Sequence, residues 1–248
     1  IIKGNYEVGL YSTSVKIYNL VNSTIASIAW VVMPQMTKNF NEGNYDEINK
    51  LFRYAFNFVV ILGLPCVVGI NILCPEIIEI IAGKEYLGAT GSLHILSIAL
   101  AISLIGGLIG NVLLLPAMEE KICLIACVVS AMANIILNIL FIPKYGITAA
   151  AATTAVSELI SLCIAISRVD KKIKLIACSK DLIGPALGAV LIILIGKCVA
   201  IVTEYLWTKT VLTILLSILG YFIVLILTRN EFAKNMSEIL FGKCRHKK

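Results

Sequence analysis

The chain has 248 residues, of which 59% are hydrophobic and only 15% charged, with a mean hydropathy of +0.93 and a formal net charge of +6. An ordinary soluble domain carries about 25% charged residues, so too little polar surface is present here to cover a water-soluble globule. Disordered, collagen-like and disulfide-knot classes are excluded with it. The apolar residues arrive in blocks of about 20, the length that crosses a bilayer core as a helix. The composition defines an all-α polytopic membrane protein.

Seven transmembrane helices are predicted in chain order, at residues 10–34, 54–73, 92–115, 122–142, 147–167, 182–203 and 206–227. The connections are short. The longest, 35–53, sets Phe40, Tyr45, Ile48, Leu51 and Phe52 among charges and is expected to lie on the membrane surface as a short helix. Pro143-Lys144-Tyr145-Gly146 is a tight turn that makes the fourth and fifth spans a helical hairpin. The chain thus divides into a five-span core (1–167), a basic loop (168–181), two further spans (182–228) and a basic tail (229–248).

Loop cations set the orientation, because basic loops stay cytoplasmic. With the start outside, the inner side collects Lys38, Lys50, Arg53, Lys121, Arg168, Lys171, Lys172, Lys174 and Lys180, and the tail adds Arg229, Lys234, Lys243, Arg245, Lys247 and Lys248. Only Lys3, Lys84, Lys144 and Lys209 fall outside. The C-terminus is therefore expected in the cytoplasm, its last basic residues near anionic headgroups. That bias also explains the net charge without any nucleic-acid partner. The chain opens Ile1-Ile2-Lys3-Gly4 with no signal-peptide pattern. An odd number of spans with an outside start leads us to expect at least one helix before Ile1.

Polar residues inside the spans are patterned. On the first span Ser12, Lys16, Asn19, Ser23 and Ser27 recur at helical spacing, away from Ile17, Val21, Ile25 and Ile28. Such a stripe turns either to a wet cavity or polar substrate, or to neighbouring helices, with Lys16 snorkelling to the outer headgroups. The fourth span carries Ser130, Asn134 and Asn138 on one face, and the fifth carries Thr154, Glu158 and Ser161. Glu158 is the acidic residue nearest the middle of any span. A carboxylate there must be protonated, paired or hydrated, so it is a candidate for proton or cation coupling, with a structural hydrogen bond as the alternative.

Other residues point away from chemistry. Cys66, Cys74, Cys123, Cys127, Cys163, Cys178, Cys198 and Cys244 read as small apolar filler, with no disulfide and no metal spacing. His94 and His246 lie on opposite predicted sides. No phosphate-binding loop, H-E-x-x-H or G-x-S-x-G is present. No catalytic residue, metal or cofactor is predicted, and the chain does not read as an enzyme.

Several stretches resemble the polysaccharide transporter family, the lipid-linked oligosaccharide flippases of the multidrug/oligosaccharidyl-lipid/polysaccharide exporter superfamily. Glu7-Val8-Gly9-Leu10-Tyr11-Ser12 with Val15-Lys16-Ile17, then Met33-Pro34-Gln35, resembles that family's eighth helix. Ser92-Leu93-His94-Ile95-Leu96-Ser97 resembles the head of its tenth. Asn134-Ile135-Ile136-Leu137-Asn138, Ile142-Pro143-Lys144-Tyr145-Gly146-Ile147 and the alanine run to Ser157-Glu158 resemble its most recognisable hairpin, with Thr148 where the family often has a second Gly. The resemblance implies the C-terminal half of a flippase-type fold of about fourteen helices in two pseudo-symmetric halves. It further implies a bacterial inner (plasma) membrane location and alternating access. The substrate would be an undecaprenyl-diphosphate-linked oligosaccharide, the repeat unit of O-antigen, capsule or exopolysaccharide, and other polysaccharide-assembly proteins would be partners. Lys16, Asn19, Ser23, Asn134 and Asn138 would line the substrate cavity, the positive stripe suiting a diphosphate or acidic sugar. A cation-coupled drug or metabolite antiporter of the same superfamily is the alternative, and a multispanning polysaccharide-synthesis enzyme a more distant one.

The topology has a direct check in intact cells expressing the full-length protein. Cysteines introduced at Lys84 and Lys209 should react with an impermeant thiol reagent while Cys178 and Cys244 stay protected. Labelling of Cys178 from outside would reverse the orientation.

Overall fold

The computed structural model describes residues 4–175, 182–203 and 205–228. The basic tail, with Cys244 and His246, lies outside the described residues, as do Lys3, Cys178, Lys180, Asp181 and Glu204. The chain separates into two compact units, Ile1–Lys174 and Leu175–Lys248, so the division falls within the 168–181 connection.

In the first unit α1 (Asn5–Ala26) and α2 (Ile28–Glu42) together form one apolar run long enough to cross a membrane. They are separated only at Ser27, which keeps helical dihedrals (φ −56°, ψ −23°). Hydroxyls of Ser23 and Thr24 bond the Leu20 carbonyl, and that of Ser27 bonds the Thr24 carbonyl. Such back-bonding competes locally with the helical ladder. Pro34 then lies inside α2, where it supplies no N–H to the ladder.

Residues 35–53 do not form a separate surface helix. Residues 35–42 continue α2, and 45–53 open α3 (Tyr45–Ile72), with only Gly43 and Asn44 between them. Gly43 takes a left-handed conformation (φ 66°) and closes α2, while the Asn44 side chain accepts the Glu47 N–H at 3.2 Å to cap α3. The amphiphilic composition came from two helix ends meeting at a tight turn. The next connection is also more ordered than its length suggested. It holds α4 (Cys74–Ala82), opened by Pro75, and a 3₁₀ turn over Lys84–Ala89.

α5 (Thr90–Leu108) is the centre of this unit, packing on α1, α3 and α6. Leu93, Leu96, Ala99, Leu100 and Leu104 are buried along it. It runs on into a π-helical turn over Ile109–Leu114, where the Leu115 N–H bonds the Gly110 carbonyl. Such turns occur mostly as single insertions into α-helices.

α6 (Glu120–Ser167) is a continuous 48-residue run with one break, at Gly146 (φ 61°, ψ −139°). A straight helix would separate residues 138 and 153 by about 22 Å. Instead the Thr153 hydroxyl donates to Asn138 Oδ1 at 2.6 Å. α6 is therefore a hairpin of two antiparallel arms, 120–145 and 147–167, and supplies two passes. The first arm exposes Leu124, Ile125, Val128, Val129, Met132, Ile135, Ile136 and Ile139 along one wide apolar stripe, opposite the face that carries Ser130, Asn134 and Asn138.

The connections alternate between two ends, as a serpentine crossing requires. At one end Tyr6 donates to the Glu85 carbonyl, Gly9 lies beside Tyr86, and Glu7 meets Gly146. At the other, Phe40, Tyr45, Pro116, Met118, Arg168 and Asp170 share a groove. In the second unit α7 (Ile183–Val202) and α8 (Leu206–Leu227) pack through small residues, a Cβ on Gly188 overlapping the Tyr221 ring. The described residues thus make seven membrane passes, five in the first unit and two in the second.

Gly146→Ala should destabilise the protein by about 1–3 kcal/mol, the usual cost of holding an L-residue in such a backbone conformation. Its Cβ would also sit 3.0 Å from Glu7 Oε2. Gly69→Ala, where a Cβ meets nothing within 4 Å, should be neutral or slightly stabilising. Thermal unfolding of both variants in the same detergent checks this, and equal midpoints would refute the turn's role.

Candidate functional site

α1 carries two polar faces. Lys16, Asn19, Ser23 and Ser27 are exposed and Ser12 is half-buried, whereas Ile17, Ile25 and Ile28 are buried. The sequence-derived stripe therefore lies on the outer surface of this unit. Within the unit no neighbouring helix covers Lys16, so interhelical bonding inside it does not account for the stripe.

The second face was missed. Tyr11, Ser14, Tyr18 and Asn22 also follow helical spacing, and all four bond neighbouring helices. Tyr11 Oη shares a 3.1 Å hydrogen bond with Thr154 Oγ1. Ser14 and Ser92 hydroxyls meet at 2.8 Å. Tyr18 Oη donates to Glu158 Oε1 at 3.2 Å, and Asn22 Nδ2 donates to Ser103 Oγ at 3.3 Å. Counting polar residues at three- and four-residue intervals from Tyr11 would have exposed this face. Interhelical hydrogen bonds in membrane proteins average about 0.6 kcal/mol. Four of them set the rotation and register of α1 more than its stability.

Glu158 is half-buried on the second arm of α6, with Tyr18 as its hydrogen-bond donor. Asn134 and Asn138 are half-buried on the first arm. Asn138 Nδ2 donates to Asn134 Oδ1 at 2.8 Å, and Asn138 Oδ1 accepts from Thr153. These amides tie the hairpin together, while Lys16, Asn19 and Ser23 are exposed at the surface, the Ser23 hydroxyl bonding only the Leu20 carbonyl of its own helix. The structure thus separates the sequence-derived candidates into an exposed set on α1 and a bonded set on α6.

Two other polar groupings complete the picture. His94 Nδ1 donates to Asn71 Oδ1 at 2.9 Å, and Asn71 Nδ2 donates to Ser97 Oγ, so His94 is engaged between α3 and α5. At the opposite end a groove of about 470 Å³ is lined by Phe40, Tyr45, Met118, Glu119, Arg168 and Asp170 among others. Beside it the 170–174 segment is clasped to the start of α3. Tyr45 Oη donates to Asp170 Oδ2 at 2.9 Å, and the Lys174 N–H donates to Asn49 Oδ1 at 2.8 Å. The Lys172 N–H and the Tyr45 hydroxyl hold the Asp170 carboxyl below the usual carboxylate range. The same carboxylate pushes the Tyr45 hydroxyl up. Among the described residues no three His, Cys, Asp or Glu side chains gather as a metal site.

The described residues form a serpentine bundle of apolar helices with a surface-facing polar stripe, the architecture of a multi-pass membrane protein. The chain belongs to the lipid II flippase MurJ family, whose sequence model matches residues 7–222. The fold agrees: a structure of the lipid II flippase MurJ in an inward closed conformation superposes with a TM-score of 0.73 over 90% of this chain and 47% of that one, at 21% identity. The capsular polysaccharide biosynthesis protein CapF of Staphylococcus aureus is 27% identical over 164 residues, covering 64% of this chain and 40% of CapF. The probable low-salt glycan biosynthesis flippase Agl15 of Haloferax volcanii is 27% identical over 153 residues, 60% of this chain and 32% of that protein. The chain therefore spans less than half the length of these relatives. The sequence resemblance to lipid-linked flippases holds, and the protein is a multi-pass membrane protein with their fold.

The clasp predicts a pH window. A lowered Asp170 pKa means its contribution is present above about pH 4 and lost as pH falls through the depressed value; a raised Tyr45 pKa means its contribution is present below about pH 10 and lost above. Protection of the Lys172 and Lys174 amides against hydrogen exchange should thus be level between those limits. At neutral pH, Asp170→Asn should speed exchange at Lys172, and Asn49→Ala at Lys174. Unchanged protection in both variants would show that the clasp does not order this segment.

Proposed function

We propose that the whole protein moves a lipid-linked oligosaccharide from the cytoplasmic to the outer leaflet by alternating access, for assembly of surface polysaccharide such as O-antigen, capsule or exopolysaccharide. Family membership supports the class of activity. The observation that carries the reading at residue level is the exposed stripe of Lys16, Asn19 and Ser23 on α1, beside buried Ile17 and Ile25. An ammonium on an otherwise apolar membrane surface is expensive unless it faces water or an anion. A diphosphate carrier such as undecaprenyl diphosphate supplies that anion, and sugar hydroxyls match Asn19 and Ser23. Asn134 and Asn138 contribute from behind, by fixing the hairpin that carries Glu158. Glu158 is assigned the coupling role, its half-buried carboxylate facing the Tyr18 hydroxyl. The protein works as a transporter rather than an enzyme. It resides in the bacterial inner membrane with its C-terminus in the cytoplasm, where other polysaccharide-assembly proteins meet it.

Variants of the full-length protein in a flippase-null strain test the reading through surface polysaccharide. Lys16→Ala should lose most export while Lys16→Arg keeps much of it, since both cations supply the charge though their geometry differs. Glu158→Gln should fail despite its similar size, because it cannot ionise. Normally inserted Lys16→Ala and Glu158→Gln proteins that export at the parental rate would remove both residues from the mechanism.

A further inference from the structure

The inner face of α1 links Glu158 to the helix that carries Lys16. Tyr18 is buried and spans the gap between α1 and the second arm of α6, its hydroxyl donating to Glu158 Oε1 at 3.2 Å. That distance is long for a hydroxyl–carboxylate bond, whose usual range is about 2.5–3.0 Å. Ser103 of α5 sits beside the same hydroxyl and accepts from Asn22 one turn further along α1. Asn22, Ser103, Tyr18 and Glu158 thus form one chain of polar groups through three helices. Tyr11, seven residues before Tyr18 on the same face, meets Thr154, which carries no charge in any state.

We infer that Tyr18 is a positioning residue that reads the charge of Glu158 and transmits it to α1. The inference rests on the coupling role proposed for Glu158. An ionised carboxylate draws the Tyr18 hydroxyl into a charge-assisted bond and holds α1 against α6. A protonated carboxyl has its own O–H to place and accepts more weakly, so α1 is freed to shift, and the exposed stripe shifts with it. Among the described residues, the other ionisable side chains of α1 and α5 are engaged or placed elsewhere, and those of α3 (Asp46, Glu47, Lys50, Arg53, Tyr54 and Cys66) and Cys163 of α6 are not among the partners of the Tyr18 hydroxyl. On α1, Glu7 lies at the Gly146 turn, Lys16 is on the exposed face and Tyr11 faces Thr154. On α5 the one ionisable side chain, His94, is bonded to Asn71, and the π turn carries none.

The test needs no substrate. Spin labels are placed at Leu20 on α1 and Leu159 on α6, both exposed, in a cysteine-free background of the full-length protein in liposomes. The distance between them is recorded at about pH 3 and about pH 8, on either side of the ordinary glutamate value. The parent should show a pH-dependent shift. Glu158→Gln and Tyr18→Phe should each lose it, while Tyr11→Phe, which removes the same atom from the same face, should keep it. Retention of the shift by Tyr18→Phe while Glu158→Gln loses it would overturn the role of Tyr18 and leave Glu158 coupling intact. Loss in both tyrosine variants would report a generally loosened seam and also overturn it. No shift in the parent would overturn it as well. The coupling reading itself falls separately, if Glu158→Gln exports polysaccharide at the parental rate.

Discussion

Gly146 lets a 48-residue apolar run double back, and most of the polar architecture follows from that reversal. Were the run straight, Asn138 and Thr153 would be some four turns apart, and the second arm would not lie beside α1. Folding back brings Asn138 to Thr153 and delivers Thr154 and Glu158 to Tyr11 and Tyr18. The residue that makes this possible is a backbone feature, whereas the residues that benefit are side chains up to twelve positions away. Neither half of the arrangement explains itself without the other.

A membrane interior makes each such pairing consequential, because lipid offers no substitute hydrogen bonds. α1 answers that constraint differently on its two sides. Its inner polar groups are all bonded to neighbouring helices, and its outer ones are not. One face of the helix is thus bonded within the unit, and the other is exposed on its surface. The apolar first arm of α6 makes the opposite choice, exposing branched aliphatic side chains and keeping its amides for the hairpin.

Helix number, the hairpin and the alternation of ends were legible in the sequence, because hydrocarbon thickness fixes span length and Pro143 with Gly146 marks the reversal. The polar stripe through Lys16 was legible as a periodicity. Its inner counterpart was not, because tyrosine and serine on an apolar helix pass for ordinary filler until their partners are known. Ser92, Ser103, Thr154 and Glu158 are scattered over more than sixty positions of sequence, and only packing gathers them on α1. The connection at 35–53 misled for a different reason. Two amphipathic helix ends joined at Gly43 and Asn44 have the same composition as one helix lying flat, and composition cannot tell them apart.

The interruption at Ser27 has a mechanical consequence. α2 is 15 residues long, an arm of about 22 Å beyond it. A change of about 10° there would sweep its far tip through about 4 Å. Phe40 and Asn41 ride on that tip and form one wall of the groove at the Arg168 end. Three hydroxyl–carbonyl bonds, from Ser23, Thr24 and Ser27, gather at that junction and compete there with the backbone ladder. A small change of angle in the middle of this long run would therefore move one wall of the groove by more than the width of a water molecule.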